Sequence, residues 1–262
     1  MKITTVNVNG IRAAYRKGMG QWLSDTAPDV LLCQETRAPG DIITELIGED
    51  YQVFPHECQI KGRAGVAVAV RHGIEVGQVR TGVVDDEVPV DTGRWLEVDL
   101  PERGLTVVSA YLHSGKADDE TKMAAKYAHL DKVSERLGAM TGEFVVCGDF
   151  NIVHTEGDIT NWKSNHNKTS GVLDPEIAYL DRWFGNGFVD VQRHLDPDSQ
   201  GPYTWWSQRG KAFDNNVGWR IDYQMATPTL AARARTYTID RAASYDARWS
   251  DHAALTVIYD EQ

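Results

Sequence analysis

The sequence predicts one domain in which helices cover layered sheets, of the α+β or α/β class. Three observations carry this. Short apolar, β-prone runs recur along all 262 residues; helical patterns lie between them; no linker, low-complexity run or short-period repeat divides the chain. With 42% hydrophobic residues a substantial core is within reach, so a single domain over residues 1–262 is expected.

In chain order, residues 2–9 alternate, with Ile3, Val6 and Val8 apolar, and run into an Asn9-Gly10 turn. Asn7 and Asn9 share a face, and turn chemistry accounts for Asn9 better than for Asn7. Residues 11–26 predict a helix stopped before Pro28. Residues 30–34 form an apolar strand ending at Glu35, whose carboxylate needs a cation, a donor or water. The loop Gly62-Arg63-Ala64-Gly65 delivers a small-residue strand over 66–70. Residues 95–100 and 105–112 read as a hairpin whose second strand ends at Tyr111. Residues 118–140 carry Met123, Tyr127, Leu130, Val133, Leu137 and Met140 at steps of three and four, a core stripe of a helix with acids in its first turn. The apolar run 144–147 predicts a buried strand that turns at Gly148 into Asp149 and Asn151, both on one face. Taken alone, Gly148-Asp149-Phe150-Asn151 also reads as an Asx-turn. Residues 161–171 read as loop, and Asp174-Pro175 as the N-cap and first position of a helix to Phe184. An aromatic stretch, Tyr203-Thr204-Trp205-Trp206, precedes a loop over 208–218, a strand starting at 219–223, and a last strand over 254–259 after Ser250-Asp251-His252.

The net charge of −11 argues against a protein that coats nucleic acid through a basic surface, yet allows an enzyme with one cationic face. Basic groups at Arg12, Arg16 and Lys17, at Lys61 and Arg63, and at Arg209, Lys211 and Arg220 read individually as solvated surface. Cys33, Cys58 and Cys147 lack CxxC spacing, and two of them sit in apolar strands as small core residues. No apolar run approaches about 18 residues, and Met1 leads straight into a strand without a signal-peptide pattern. The expectation is a reduced cytoplasmic setting and no membrane.

The polar residues at strand termini are Asn7, Glu35, Tyr111, Asp149, Asn151, Asp222, Asp251 and His252. They include a hard-metal ligand, a base, acids to orient it and a phenol. No Gly-rich phosphate loop, G-x-S-x-G or thiolate cluster is present, and oxygen ligands favour Mg2+ or Mn2+ over zinc.

Five blocks carry a family likeness: Asn7-Val8-Asn9-Gly10-Ile11-Arg12, Gln34-Glu35-Thr36, Gly148-Asp149-Phe150-Asn151, Asn216-Val217-Gly218-Trp219-Arg220-Ile221-Asp222-Tyr223 and Ser250-Asp251-His252. In that order, and over essentially the whole chain, they resemble the exonuclease III/apurinic-apyrimidinic endonuclease family of the endonuclease–exonuclease–phosphatase superfamily. The resemblance implies an α+β, four-layer αββα sandwich of two mainly antiparallel sheets, with the site at one sheet edge. It implies a monomeric, metal-dependent DNA-repair phosphodiesterase. Such an enzyme cleaves 5′ to abasic sites in double-stranded DNA and acts on blocked 3′ ends as a 3′-phosphatase, 3′-phosphodiesterase and 3′–5′ exonuclease. A same-fold phosphatase on a small molecule or lipid headgroup is the alternative. By the same resemblance Glu35 would hold Mg2+ or Mn2+, with Asn7 and Asp251 nearby. Tyr111, Asp149, Asn151, Asp222 and His252 would be catalytic. Arg12, Trp205, Arg209, Trp219 and Ile221 would bind substrate, the two tryptophans and Ile221 as an apolar pocket, while Trp206 is core. One departure stands out. The family follows the strand-end tyrosine with x-Pro and an amide residue, whereas Tyr111 is followed by Leu112-His113-Ser114. The amide's contact with the DNA backbone does not carry over, and Ser114 offers at most a weaker one; His113 reads as a phosphate contact or, in preference, as a surface residue.

Overall fold

A computed structural model describes residues 1–261. The first half of the chain forms β1 (Lys2–Asn7), α1 (Ile11–Arg16), α2 (Met19–Thr26), β2 (Val30–Gln34), α3 (Gly40–Ile47), β3 (Tyr51–His56), β4 (Val66–Arg71), β5 (Val79–Thr81), β6 (Trp95–Leu100) and β7 (Leu105–Tyr111). The second half forms α4 (Glu120–Ala139), β8 (Glu143–Asp149), α5 (Trp162–Asn165), α6 (Asp174–Gly185), β9 (Val189–Asp190), α7 (Val191–Leu195), β10 (Trp205–Trp206) and β11 (Gly218–Trp219). It closes with β12 (Asp222–Ala226), α8 (Pro228–Ala231), β13 (Ala234–Ile239) and β14 (Leu255–Tyr259).

Two six-stranded sheets, ordered β13-β14-β1-β2-β4-β3 and β5-β6-β7-β8-β12-β9, pack face to face. Each contains one parallel pair, β1 with β2 and β7 with β8, among antiparallel neighbours. The strand period of two decides the layers. Ile3, Val30, Leu32, Val107, Val145 and Cys147 meet between the sheets. Their neighbours Val6, Leu31 and Cys33 face α1, α2 and α3, and Val108, Phe144 and Val146 face α4 and α6. Strands apolar on both faces demand cover on both, and the result is the four-layer αββα sandwich expected. Among the described residues no helix is long and apolar enough to cross a membrane.

Local chemistry corrects some boundaries. Residues 11–26 form two helices because Gly18, at φ 111°, breaks the run. Asp119 caps α4 by accepting from the Lys122 amide at 3.1 Å. At α6 the chain turns one residue earlier than expected, with Leu173 at the cap position and Asp174 inside the helix. The segment 161–171 holds the short helix α5. The expected strand from Trp219 is split: β11 pairs with β10 in a separate ribbon, and β12 starts at Asp222. Arg220, between them, turns inward and is fully buried against Asp158 and Asp190 at 2.8 and 2.7 Å. It therefore belongs to the interior and not to the solvated basic group in which its neighbours place it.

Candidate active site

Sheet register gathers the polar strand termini at one edge. In the parallel pairs, Asn7 lies beside Gln34 and Tyr111 beside Asp149. Antiparallel β12 begins with Asp222 opposite Asp149, and β14 starts just after Asp251 and His252. Parallel strands end, and antiparallel strands begin, at the same rim. A cleft of about 740 Å3 opens there, lined by Glu35, Tyr111, Asp149, Asn151, Trp205, Trp219, Ile221, Asp251 and His252 among others. Gly148 is needed for the approach of β8 to β7. Its φ is 148°, and a Cβ would stand 1.9 Å from the Ala110 carbonyl oxygen. Glu35 leaves β2 at φ 50°, a left-handed turn that costs a non-glycine residue about 1–3 kcal/mol and brings its carboxylate to the cleft.

Asp149 is the buried centre. Its Oδ2 accepts from Asn7 Nδ2 at 3.0 Å and its Oδ1 from the Asn151 amide at 2.9 Å. Its Oδ2 lies 3.8 Å from His252 Nε2, and His252 Nδ1 faces Asp222 Oδ2 at 2.8 Å. Burial, then the nearby Asp222, push Asp149 up to about 7. Burial opposes charge on His252, but Asp222, through its charge and hydrogen bond, together with Asp149 and Asp251, raises its pKa to about 10. Tyr111 donates to Glu35, which Arg37 also engages. Burial, with Glu35 and Asp149 adding to it, lifts the Tyr111 phenol well above its usual value, which favours its protonated, donating form.

The opposite wall is aromatic. Trp205 pairs with Trp219 across the ribbon, with ring centroids 5.5 Å apart and planes at 77°, over Val153, Ile159, Val172 and Ile221. Trp206 is in the core, as expected. Trp205 Nε1 donates to Asp251 at 3.2 Å, and Asn9 Nδ2 to the same carboxylate at 2.8 Å.

A family model described as "Endonuclease/Exonuclease/phosphatase family" matches residues 4–252. The chain belongs to that family. Within it, an exodeoxyribonuclease of Bacillus subtilis is 33% identical over 260 residues, covering 98% of this chain and 99% of that protein. An AP endonuclease from Archaeoglobus fulgidus superposes with a TM-score of 0.85 at 29% identity, 99% of each chain being covered. A 3′ phosphatase from Neisseria, solved with a product DNA hairpin, gives 0.84 at 26% identity, again over 99% of each chain. The exonuclease III/abasic-endonuclease likeness and the sandwich expected from the five blocks are both borne out.

Nucleases of this family depend on a divalent metal, and the donor set fits one. Glu35, Asp118, Asp149 and Asp251 all line the cleft, so an anionic phosphate meets several carboxylates that a hard cation would offset. Asp149, Asp222 and His252 bring ligand atoms within 4.8 Å of one another. His252 is engaged with Asp222, and the Asn7 amide is engaged by Asp149 and the Asn9 N–H. Glu35, Asp118 and Asp251 line the cleft outside that hydrogen-bonded group, Glu35 held by Tyr111 and Arg37 and Asp251 by Asn9 and Trp205.

Asn7 and Asp222 stand behind the cleft, supporting Asp149 and His252. Arg12 and Arg209 are exposed and do not line it; Arg12 reaches only the Arg37 carbonyl at 3.4 Å. The structure adds Asn9, Arg37, Lys116 and Lys168 to the cleft. Asn9 and Arg37 lie inside or beside the motif blocks and were within reach of the sequence. Lys116 and Lys168 sit on loops that no periodicity locates.

His113 corrects the surface expectation. It is buried, its Nε2 lies 2.8 Å from Asp91, and its ring meets His129 edge-on at 5.0 Å. A loop apolar at Leu112 and packed on α4 carries the next side chain inward too. His129 has both ring nitrogens buried without partners, and burial, reinforced by His113, lowers its pKa to about 3. The unfolded chain protonates this group near pH 6.5. Between the two values the unfolded state binds the extra proton, so stability falls as pH falls, by up to about 1.4 kcal/mol per unit. Denaturant titrations from pH 6.5 to 4.5 should show this slope in the wild type and a shallower one in His129→Leu. Equal slopes would remove His129 as the cause.

Proposed function

We propose that this chain is a DNA-repair phosphodiesterase that nicks duplex DNA 5′ to abasic sites and clears blocked 3′ ends as a 3′-phosphatase and 3′–5′ exonuclease. One observation carries the reading: the aromatic wall of Trp205 and Trp219, with Ile221, stands beside His252, the Trp205 and His252 rings being 6.5 Å apart. A sugar without a base swings out cheaply into such a pocket, whereas a normal nucleotide must unstack and is too large. The names of the relatives, an exodeoxyribonuclease, an AP endonuclease and a 3′ phosphatase, support the same set of activities.

Asp149 and Asn151 orient the attacking water, and Asp149 is the basic group poised to take its proton, since a base works best with a pKa near the operating pH. His252, fixed by Asp222, donates to a phosphate oxygen, and Tyr111 donates to the developing charge. Glu35 would hold Mg2+ or Mn2+, with Asp251 and Asn7 nearby, supplying charge neutralisation at the phosphate. Asp251 also fixes Trp205, which joins the pocket to the acidic wall.

A metal-supplemented assay on abasic duplex, intact duplex, 3′-phosphate ends and inositol phosphates tests the reading. Cleavage confined to the inositol phosphates would reverse it. Trp219→Ala should lose discrimination between abasic and intact DNA by about tenfold or more while 3′-phosphate release falls less, because a terminal phosphate needs little of the pocket. Equal losses in a folded variant would make Trp219 a core residue only.

A further inference from the structure

Beneath the cleft floor lies a charged pair that the chemistry above does not use. Lys126 of α4 and Glu176 of α6 are fully buried, with Nζ and Oε1 2.6 Å apart. The ammonium has three donors and spends them all: on Glu176, on the Asn151 carbonyl at 3.0 Å and on the Ser114 carbonyl at 3.2 Å. Glu176 accepts from the Gly171 and Leu173 amides at 2.5 and 3.1 Å and from Ser170 Oγ at 2.9 Å. Ser170 Oγ also lies 2.6 Å from the Ser114 carbonyl.

These contacts reach three separate segments of the cleft. One is Asn151. The second is the loop 114–118, which carries Lys116, and the third is the segment 168–170, which carries Lys168. Packing is close: a Cβ at Gly115 would stand 2.6 Å from Ser170 Oγ and 3.0 Å from Lys126 Cδ. Buried ion pairs contribute little net stability against well-packed apolar residues, because both ions lose their hydration. Their strength is geometric, since a satisfied buried network fixes the segments that its donors and acceptors join.

We propose that Lys126 and Glu176 are positioning residues for the phosphodiesterase reaction, holding Asn151 and the two lysine-bearing loops at the spacing that seats the phosphate. This rests on the functional reading above. Lys126 acts on turnover through Asn151, and Glu176 acts on substrate seating through the loop at 168–173.

The test uses Lys126→Met/Glu176→Leu, which leaves no lone buried charge, beside Glu176→Gln, with thermal unfolding of each variant followed alongside the kinetics. In the double variant kcat on abasic duplex should fall by about tenfold to a hundredfold, the scale of a small misplacement of reacting groups. Amide exchange in 114–118 and 168–173 should quicken while that of β1 and β8 holds. In Glu176→Gln, KM should rise more than kcat falls, a split that global destabilisation does not produce. Wild-type kcat and KM in the double variant would overturn the proposal, as would losses that track the unfolded fraction and vanish on cooling. Wild-type protein that cuts no abasic duplex would overturn the functional reading instead. Unchanged loop exchange would overturn the positioning role in either case.

Discussion

Asp149→Asn lowers single-turnover cleavage of an abasic duplex by about 10²–10⁴-fold, the usual contribution of a positioned acid or base. Three features make this the largest single-residue effect expected. Asp149 is buried, both of its oxygens are oriented by donors from different segments, and its pKa is pushed up to about 7, first by burial and then by Asp222. An amide at this position keeps the shape and loses the basicity. It also sets an NH2 group against either the Asn7 amide or the Asn151 N–H, leaving one donor unpaired at about 1–3 kcal/mol. Thermal unfolding must therefore accompany the kinetics, and DNA affinity should change far less than rate. Cleavage within a few-fold of wild type by folded Asp149→Asn would place the base elsewhere, with the His252–Asp222 pair next in line.

Chelation should act on a similar scale. EDTA is expected to reduce cleavage by about 10²-fold or more, and Mg2+ or Mn2+ to restore it, because an anionic substrate must enter a cleft lined by Glu35, Asp118, Asp149 and Asp251. Glu35→Ala should need about tenfold more metal for half-maximal rate and recover incompletely. In that variant Tyr111 and Arg37 lose their shared acceptor as well, so the comparison variant is Arg37→Ala, which removes a partner of Glu35 and keeps the carboxylate. If EDTA-treated wild type retains full activity, Glu35 has no metal to hold and the assignment fails.

What could be read from sequence was what is local. A strand shows its faces through a two-residue period, so the ends of β1, β2, β7 and β8, and the polar residues there, were legible. The convergence of those ends was not, because it depends on the parallel pairing of β1 with β2 and of β7 with β8. Charges buried by distant partners were hidden for the same reason. Arg220 needs Asp158 and Asp190, Lys126 needs Glu176, and His113 needs Asp91, each from another element. A lone basic residue in a sequence carries no mark of such a partner, and the prior for a charged side chain is solvent. Arg12 was picked out by motif likeness and Arg209 by its place in the loop between the tryptophans, and their exposed places outside the cleft could only come from the fold.

The short ribbon that carries the tryptophans has a consequence for how this site can change. Trp205 pairs with Trp219 on one side and bridges to His252 on the other. Thr204, just before it, accepts from the Ile221 and Asp222 amides through Oγ1, donates to the Trp219 carbonyl, and accepts from the Ala253 amide. The tryptophan wall and the His252–Asp222 pair thus share one backbone scaffold. A substitution that widens the pocket by moving the main chain drags the imidazole and its carboxylate partner with it. Altered substrate choice is reachable through side-chain volume at the ribbon's surface, with the peptide framework left still, and variants selected for a new substrate should accumulate changes at side chains such as Trp219 while Thr204 stays unchanged.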